Sequence, residues 1–178
     1  RRHAVTYLRG LMTAGIERKA IQPIAMTMGD GKISALQKFI NTAPWRAETV
    51  FRAIQRRFAA LEAPATLVVV EKGFPKKGNS SVGVGRQWDP TTGRKENCQV
   101  GAFLLGCTAG VTAILAGSLY LPESWFGVEP ADKNRRERVR IPPAVRFRPR
   151  PRVGASLVEL TLNWRLLEAD WLTVGSTA

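Results

Sequence analysis

The stretch VVVEKGFPKKG, residues 68–78, decides how the chain is read. With Leu67, its first residues form a short β-branched run, the composition of a buried strand. Gly73, Pro75 and Gly78, set around two lysines, supply turn chemistry. Upstream of Pro64 the apolar residues recur every three or four positions; downstream they run together or alternate. That change of period predicts a strand over 67–70, a turn over 73–78 and an alternating strand over 81–88. Residues 89–93, Asp-Pro-Thr-Thr-Gly, read as a further turn and 97–105 as a third strand.

Toward the N-terminus the pattern is helical as far as residue 63. Ala4, Leu8, Leu11 and Met12 share one face, and Ile33, Leu36 and Ile40 repeat at helical spacing. Thr42-Ala-Pro-Trp reads as a helix start, with Pro44 in the first turn where its missing N–H costs nothing. Val50, Phe51, Ile54, Phe58 and Leu61 then form one apolar stripe, with Arg52 and Arg56 on the solvent side. Residues 1–63 are therefore expected to form an all-helical unit of three or four helices. It is either a helix-turn-helix or a plain bundle, since no turn signature marks a recognition helix.

Toward the C-terminus, residues 100–121 hold no charged residue over 22 positions, enough to span a bilayer as a helix. Glycines at 101, 106, 110 and 117 favour a β-hairpin instead, because each costs a helix in water about 1 kcal/mol. Thr108-Ala-Gly110 is its expected turn. Residues 133–152 are rich in arginine and broken by prolines, which predicts an extended loop. Leu157, Leu160, Trp164 and Leu167 make a last helical stripe, and 170–174 a final strand. The five tryptophans, at 45, 88, 125, 164 and 171, are expected in the core rather than stacked on bases.

With 178 residues and 44% hydrophobic composition, the chain can bury a core as one domain or as a small domain beside a larger one. It begins with Arg1, which suggests a fragment or a processed product. Cys98 and Cys107 have no CxxC spacing, arguing against a zinc cluster or disulfide framework and for a reducing compartment. A single histidine, His3, argues against Ser-His-Asp and Cys-His chemistry. The formal net charge is +13. Residues 1–65 carry a net +7, residues 66–132 none, residues 133–152 a net +8 and the remainder −2. Excess charge gathered in two blocks points to a polyanion such as nucleic acid, whose condensed counterions Lys and Arg displace. The plainer reading is a solubility surface.

Strand, strand, strand, helix, strand behind a helical unit is an α/β layout, that of a partial RNase H-like mixed sheet with flanking helices. Six segments in order resemble insertion-sequence transposases of the DDE superfamily, the endonuclease branch: RRHAVTYLRGL, APW (43–45), GFPKKGNSSVGVGRQW (73–88), GRKENCQVG (93–101), LYLPESW (119–125) and VRFRPRP (145–151). The resemblance covers nearly the whole chain. It implies a helical N-terminal unit over 1–63, placed for DNA binding, and a partial DDE domain over 64–178, truncated near the second acidic position. It also implies DNA as partner, homo-oligomer formation, and a place in the bacterial cytoplasm at the nucleoid.

Active members of such a family hold two Mg²⁺ or Mn²⁺ ions, about 3.5–4 Å apart, on three carboxylates. The first aspartate stands in a V-D-E-T-G segment, which here reads Val69-Val-Glu-Lys-Gly73, with Val70 in the aspartate's place. The second stands in W-V-T-A-D-E, which here reads Trp171-Leu-Thr-Val-Gly-Ser176, with Gly175 in its place. The third lies beyond residue 178. A further aspartate of the hairpin strand is replaced by Ala116. Glu71 is a weak substitute, because neighbours on a strand face opposite sides and Glu71 reads as part of the turn. Lys72 would repel a dication. Asp170 is five residues from Gly175, roughly 17 Å along a strand. No metal is therefore expected in this chain.

Three readings remain open. The first is a catalytically silent member that binds DNA phosphates through Lys76, Lys77, Arg86, Arg94, Lys95, Arg135, Arg136, Arg138, Arg140, Arg146, Arg148, Arg150 and Arg152. The second is an active Mg²⁺-dependent nuclease with relocated ligands. The third is a structural or interaction protein, including a membrane-associated one through 100–121.

Overall fold

The computed structural model describes residues 2–28, 32–44, 46–163 and 172–174. Four helices come first: α1 Arg2–Met12, α2 Ile21–Thr27, α3 Ile33–Thr42 and α4 Ala47–Ala59. Strands β1 Thr66–Pro75, β2 Gly85–Asp89, β3 Arg94–Cys107 and β4 Thr112–Tyr120 follow. After a 3₁₀ turn at Glu123–Trp125 come α5 Pro130–Arg138, α6 Arg150–Asn163 and β5 Leu172–Val174. The class is mixed α/β, as expected.

The chain packs as two units, Arg1–Arg46 and Ala47–Ala178. In the first, α1, α2 and α3 surround Ile16, Ile24, Ala25 and Leu36, with Tyr7 and Ile33 against them. The expected face of α1 is not the buried one: Leu8, Leu11 and Met12 are exposed. Gly10 is buried, and a Cβ there would overlap the Ile24 side chain, so the close approach of α2 sets the rotation of α1.

The helical unit expected over 1–63 divides after Arg46, because α4 packs on β4. Phe58 and Ile54 of its predicted stripe meet the sheet, while Val50 and Leu61 are exposed. Gln55 is fully buried instead, its Nε2 donating to the Leu115 carbonyl at 2.7 Å. Thr42 starts no helix. It closes α3, its hydroxyl donating to the Lys38 carbonyl at 2.8 Å, and Pro44 lies between α3 and α4. Trp45 is outside the described residues.

The long strand β3 is the sheet's centre. It pairs antiparallel with β1, β2 and β4, and β5 pairs parallel with β1. Residues 100–121 form the expected hairpin; its turn is closed by Thr108 N–H donating to the Val111 carbonyl at 2.8 Å. Among the described residues no helix is long and apolar enough to cross a membrane.

Several predicted boundaries move. The first strand does not stop at Val70 but runs through Gly73 to Pro75, since β3 offers Val100 and Cys98 as partners that far. Gly73 is thus no turn residue: a Cβ there would overlap the Asp89 carboxylate, and this close approach is what requires glycine. Of the predicted strand 81–88 only 85–88 pair, with Asp89 added from the expected turn, because Val84 N–H bonds the Ser81 carbonyl and Gly83 turns at φ 73°. Residues 133–152 are not one extended loop. Helix α5 ends before Pro142 and Pro143, and Pro151 stands in the first turn of α6, where proline is tolerated.

On α6 the buried side chains are Val153, Leu157, Val158 and Thr161, while Leu160 is exposed. Trp164, Leu167, Asp170 and Trp171 lie outside the described residues. The core unites Phe58, Leu67, Val69, Ala102, Leu104, Leu115, Ala116, Val153 and Leu157. A β-bulge between Leu104 and Leu105 inserts Leu115 into β4, so that Leu115 and Ala116 are both buried. Helix α6 covers the sheet face that carries Val69 and Leu104; the opposite face carries Val68, Val70, Phe74 and Phe103.

Candidate nucleic-acid interface

Two strand positions carry the question of metal chemistry. Val70 stands opposite Phe103, on the face away from α6. Ala116 is buried opposite Leu104, on the α6 face. Acids at these two positions would therefore sit on opposite sides of the sheet and would not share one ion. Glu71 is within β1, opposite Ala102, rather than in a turn. Alternation turns it away from Val70, as expected, and into contact with the N-terminus of α6.

There Arg150 binds it. Nη1 of Arg150 lies 3.3 Å from Glu71 Oε2, while Nη2 donates to Gln87 Oε1 at 3.3 Å and to the Trp88 carbonyl at 2.6 Å. The guanidinium also lies 5.1 Å from the Tyr120 ring centre. Glu71 is thus compensated by a cation, and among the described residues no three His, Cys, Asp or Glu side chains are placed to hold a metal ion. The donor set does not fit a divalent ion at Val70. Gly175 and Asp170 lie outside the described residues. Cys98 offers no alternative nucleophile: it is fully buried, and burial, with Asp89 next, pushes its thiol pKa up.

The cations named from the sequence separate by what they touch. Arg135 stacks 3.7 Å from the centre of the Trp125 ring and donates to the Asn79 and Val84 carbonyls at 3.2 and 3.1 Å. Burial lowers its pKa from the usual guanidinium value, with Asp132 opposing. Arg136 lies over the Phe126 ring and donates to the Val145 carbonyl. With Arg150, these three are occupied inside the fold. Arg146 bonds the Pro143 carbonyl and Arg148 the Ser156 hydroxyl. Arg94 pairs with Glu96 at 3.3 Å. Lys76, Lys77, Arg86, Lys95, Arg138, Arg140 and Arg152 are exposed.

Register brings part of this last group together. Arg86 stands opposite Asn97 and Trp88 opposite Lys95, on the side of the β2–β3 ribbon away from buried Gln87 and Asp89. Lys76 joins them, its N–H donating to the Asn97 carbonyl at 2.8 Å. Phe74, opposite Gln99, and Lys72, opposite Gly101, extend the same side along β1. Trp125 is buried as expected, its Nε1 donating to the Val84 carbonyl at 2.8 Å. Trp88 is not a core residue; it is 50% exposed, and Phe74 is 40% exposed. Alternation through Gln87 could have revealed Trp88, had the strand's start at Gly85 been known.

The described residues thus form a mixed α/β fold whose β2–β3 ribbon carries an exposed cationic side. Residues 1–174 match the family described as DDE superfamily endonuclease. The chain belongs to that family. It is 25% identical, over 95% of its length, to a probable transposase for insertion sequence element IS701 from Microchaete diplosiphon, and spans 42% of that relative. No solved structure matches.

Proposed function

We propose that this chain is an insertion-sequence transposase relative that binds DNA through its phosphates and does not cleave it. Its sheet is read as part of an RNase H-like fold, and residues 1–46 as a second cationic body on the same DNA, at the bacterial nucleoid. One observation carries the inactive half: Val70 supplies no oxygen where the family places its first aspartate, and the adjacent Glu71 faces away and is bound by Arg150. Hard divalent cations need several oxygen ligands, and an arginine-neutralised carboxylate on the wrong face does not supply them. The cationic surface and the +13 net charge support the binding half.

The two halves are tested separately. Affinity for duplex DNA should fall on the order of tenfold or more between about 50 and 200 mM salt, as several phosphate contacts require. A flat salt response removes the binding half. Supercoiled plasmid with Mn²⁺ should remain un-nicked. Nicking that disappears in Glu71→Ala would establish the relocated-ligand nuclease instead.

A further inference from the structure

Strand β2 inverts the usual arrangement of a half-exposed strand, in which apolar side chains turn inward and polar ones outward. Its inward residues are polar. The Gln87 amide donates to the Gly83 and Cys98 carbonyls at 3.1 and 2.9 Å, and Asp89 Oδ1 accepts from the Thr91 and Thr92 N–H groups at 2.7 and 3.3 Å. Its outward residues are Arg86 and Trp88. Those inward bonds lock the register, so the indole cannot turn in without exposing Gln87 and Asp89. The Trp88 carbonyl is pinned by Arg150 at 2.6 Å, which fixes the backbone beneath the ring. Functional surfaces are among the places where such breaks of a local pattern are expected.

From this surface we infer that the outer side of the β2–β3 ribbon is a stacking platform for the unpaired bases of single-stranded DNA. The inference rests on the DNA-binding reading above and names the form of DNA this side takes. An exposed ring between cations is the combination that binds single strands without reading sequence: bases stack on the ring while Lys and Arg track the phosphates. Here Lys95 stands directly across from Trp88, Arg86 lies two residues along on the same side, and Lys76 borders Asn97. Phe74 on β1 adds a second exposed ring. Alternation and register put no carboxylate on this side of β1, β2 or β3. A second copy of the chain would bring the same cations face to face, so charge favours a polyanion over self-association. Duplex DNA offers phosphates, but its base faces are already covered by neighbouring pairs and cost unstacking to reach.

The test uses the whole chain with a fluorescent oligodeoxythymidylate and, separately, a hairpin duplex of similar charge. Trp88→Ala should weaken single-strand binding roughly 5- to 100-fold, the range of one lost base–aromatic stack, and change duplex binding less than about twofold. Trp88→Phe should keep most of the single-strand affinity. Because the indole is half exposed, Trp88→Ala should melt within a few degrees of the parent, about what a surface change allows. Salt-dependent duplex binding with single-strand binding absent or untouched by Trp88→Ala overturns the platform alone. Equal losses on both DNAs, or a change in sedimentation that traces Trp88 to self-association, also overturn it. Absence of binding to either DNA removes the DNA-binding reading and the platform together.

Discussion

Arg150 shows how one residue can be misjudged when only its charge is visible. Counted along the chain it is one more cation in a basic block, available to phosphate. In the fold its guanidinium is spent on Glu71, Gln87 and Trp88, from two different strands. The pair is partly buried, with side-chain exposures of 20% for Arg150 and 28% for Glu71, so water weakens but does not remove the interaction. Arg150→Met leaves a half-buried carboxylate and a strand carbonyl without their donor; urea unfolding should show a loss of about 1–3 kcal/mol. Adding Glu71→Gln should return part of it, because the orphaned charge is then gone. Strict additivity of the two changes would mean that the residues do not act as a pair. At this scale the site was half legible. That residues 70 and 71 face apart follows from strand alternation, and the structure agrees. That Glu71 has a cationic partner 79 positions away does not follow from any local pattern.

Helix α5 makes the corresponding point for an element. It buries no residue and has no apolar stripe, so periodicity could not announce it, and the nearby prolines suggested a loop. Arginines attach it where a hydrophobic face ordinarily would. Arg135 lies flat on Trp125 and reaches the carbonyls of Asn79 and Val84, while Trp125 Nε1 shares the Val84 oxygen. Both bonds leave from one nitrogen, Nη2, and it is the stacking on the indole that needs a planar guanidinium. Arg135→Ala should therefore raise amide hydrogen exchange across 130–138 about tenfold or more, on the scale of one or two lost charge-assisted contacts, and leave β3 protected. Arg135→Lys should exchange like the alanine variant; full protection in the lysine variant would show that charge alone holds the helix. The β3–β4 hairpin was readable because its glycines and Thr108 act locally. The length of β1 was not, because Gly73 is required by Asp89 from another strand. Nor was the placement of α4, since an amphipathic stripe does not say which partner it packs against.

For the whole molecule the governing quantity is the excess of 27 basic over 14 acidic side chains. Like charges oppose the compact state, and dissolved salt screens them over about 8–10 Å near physiological strength. The same salt weakens individual ion pairs such as Arg150–Glu71, but a partly exposed pair contributes only about a kcal/mol. Net repulsion at +13 should outweigh it, so the melting temperature should rise as NaCl goes from about 50 to 500 mM, through the range where screening grows. DNA affinity moves the other way over the same interval, because counterion release is what drives it. Bound duplex should add its own stabilisation by mass action, about 2.7 kcal/mol at a hundred times Kd, and this increment should shrink as salt increases. Thermal melts with and without duplex across the salt series test both signs. A melting temperature that falls with salt in the free chain would mean that attractive pairs, rather than the unbalanced positive charge, dominate the fold's electrostatics. A DNA increment that is constant with salt would mean that the duplex is held by contacts other than its phosphates.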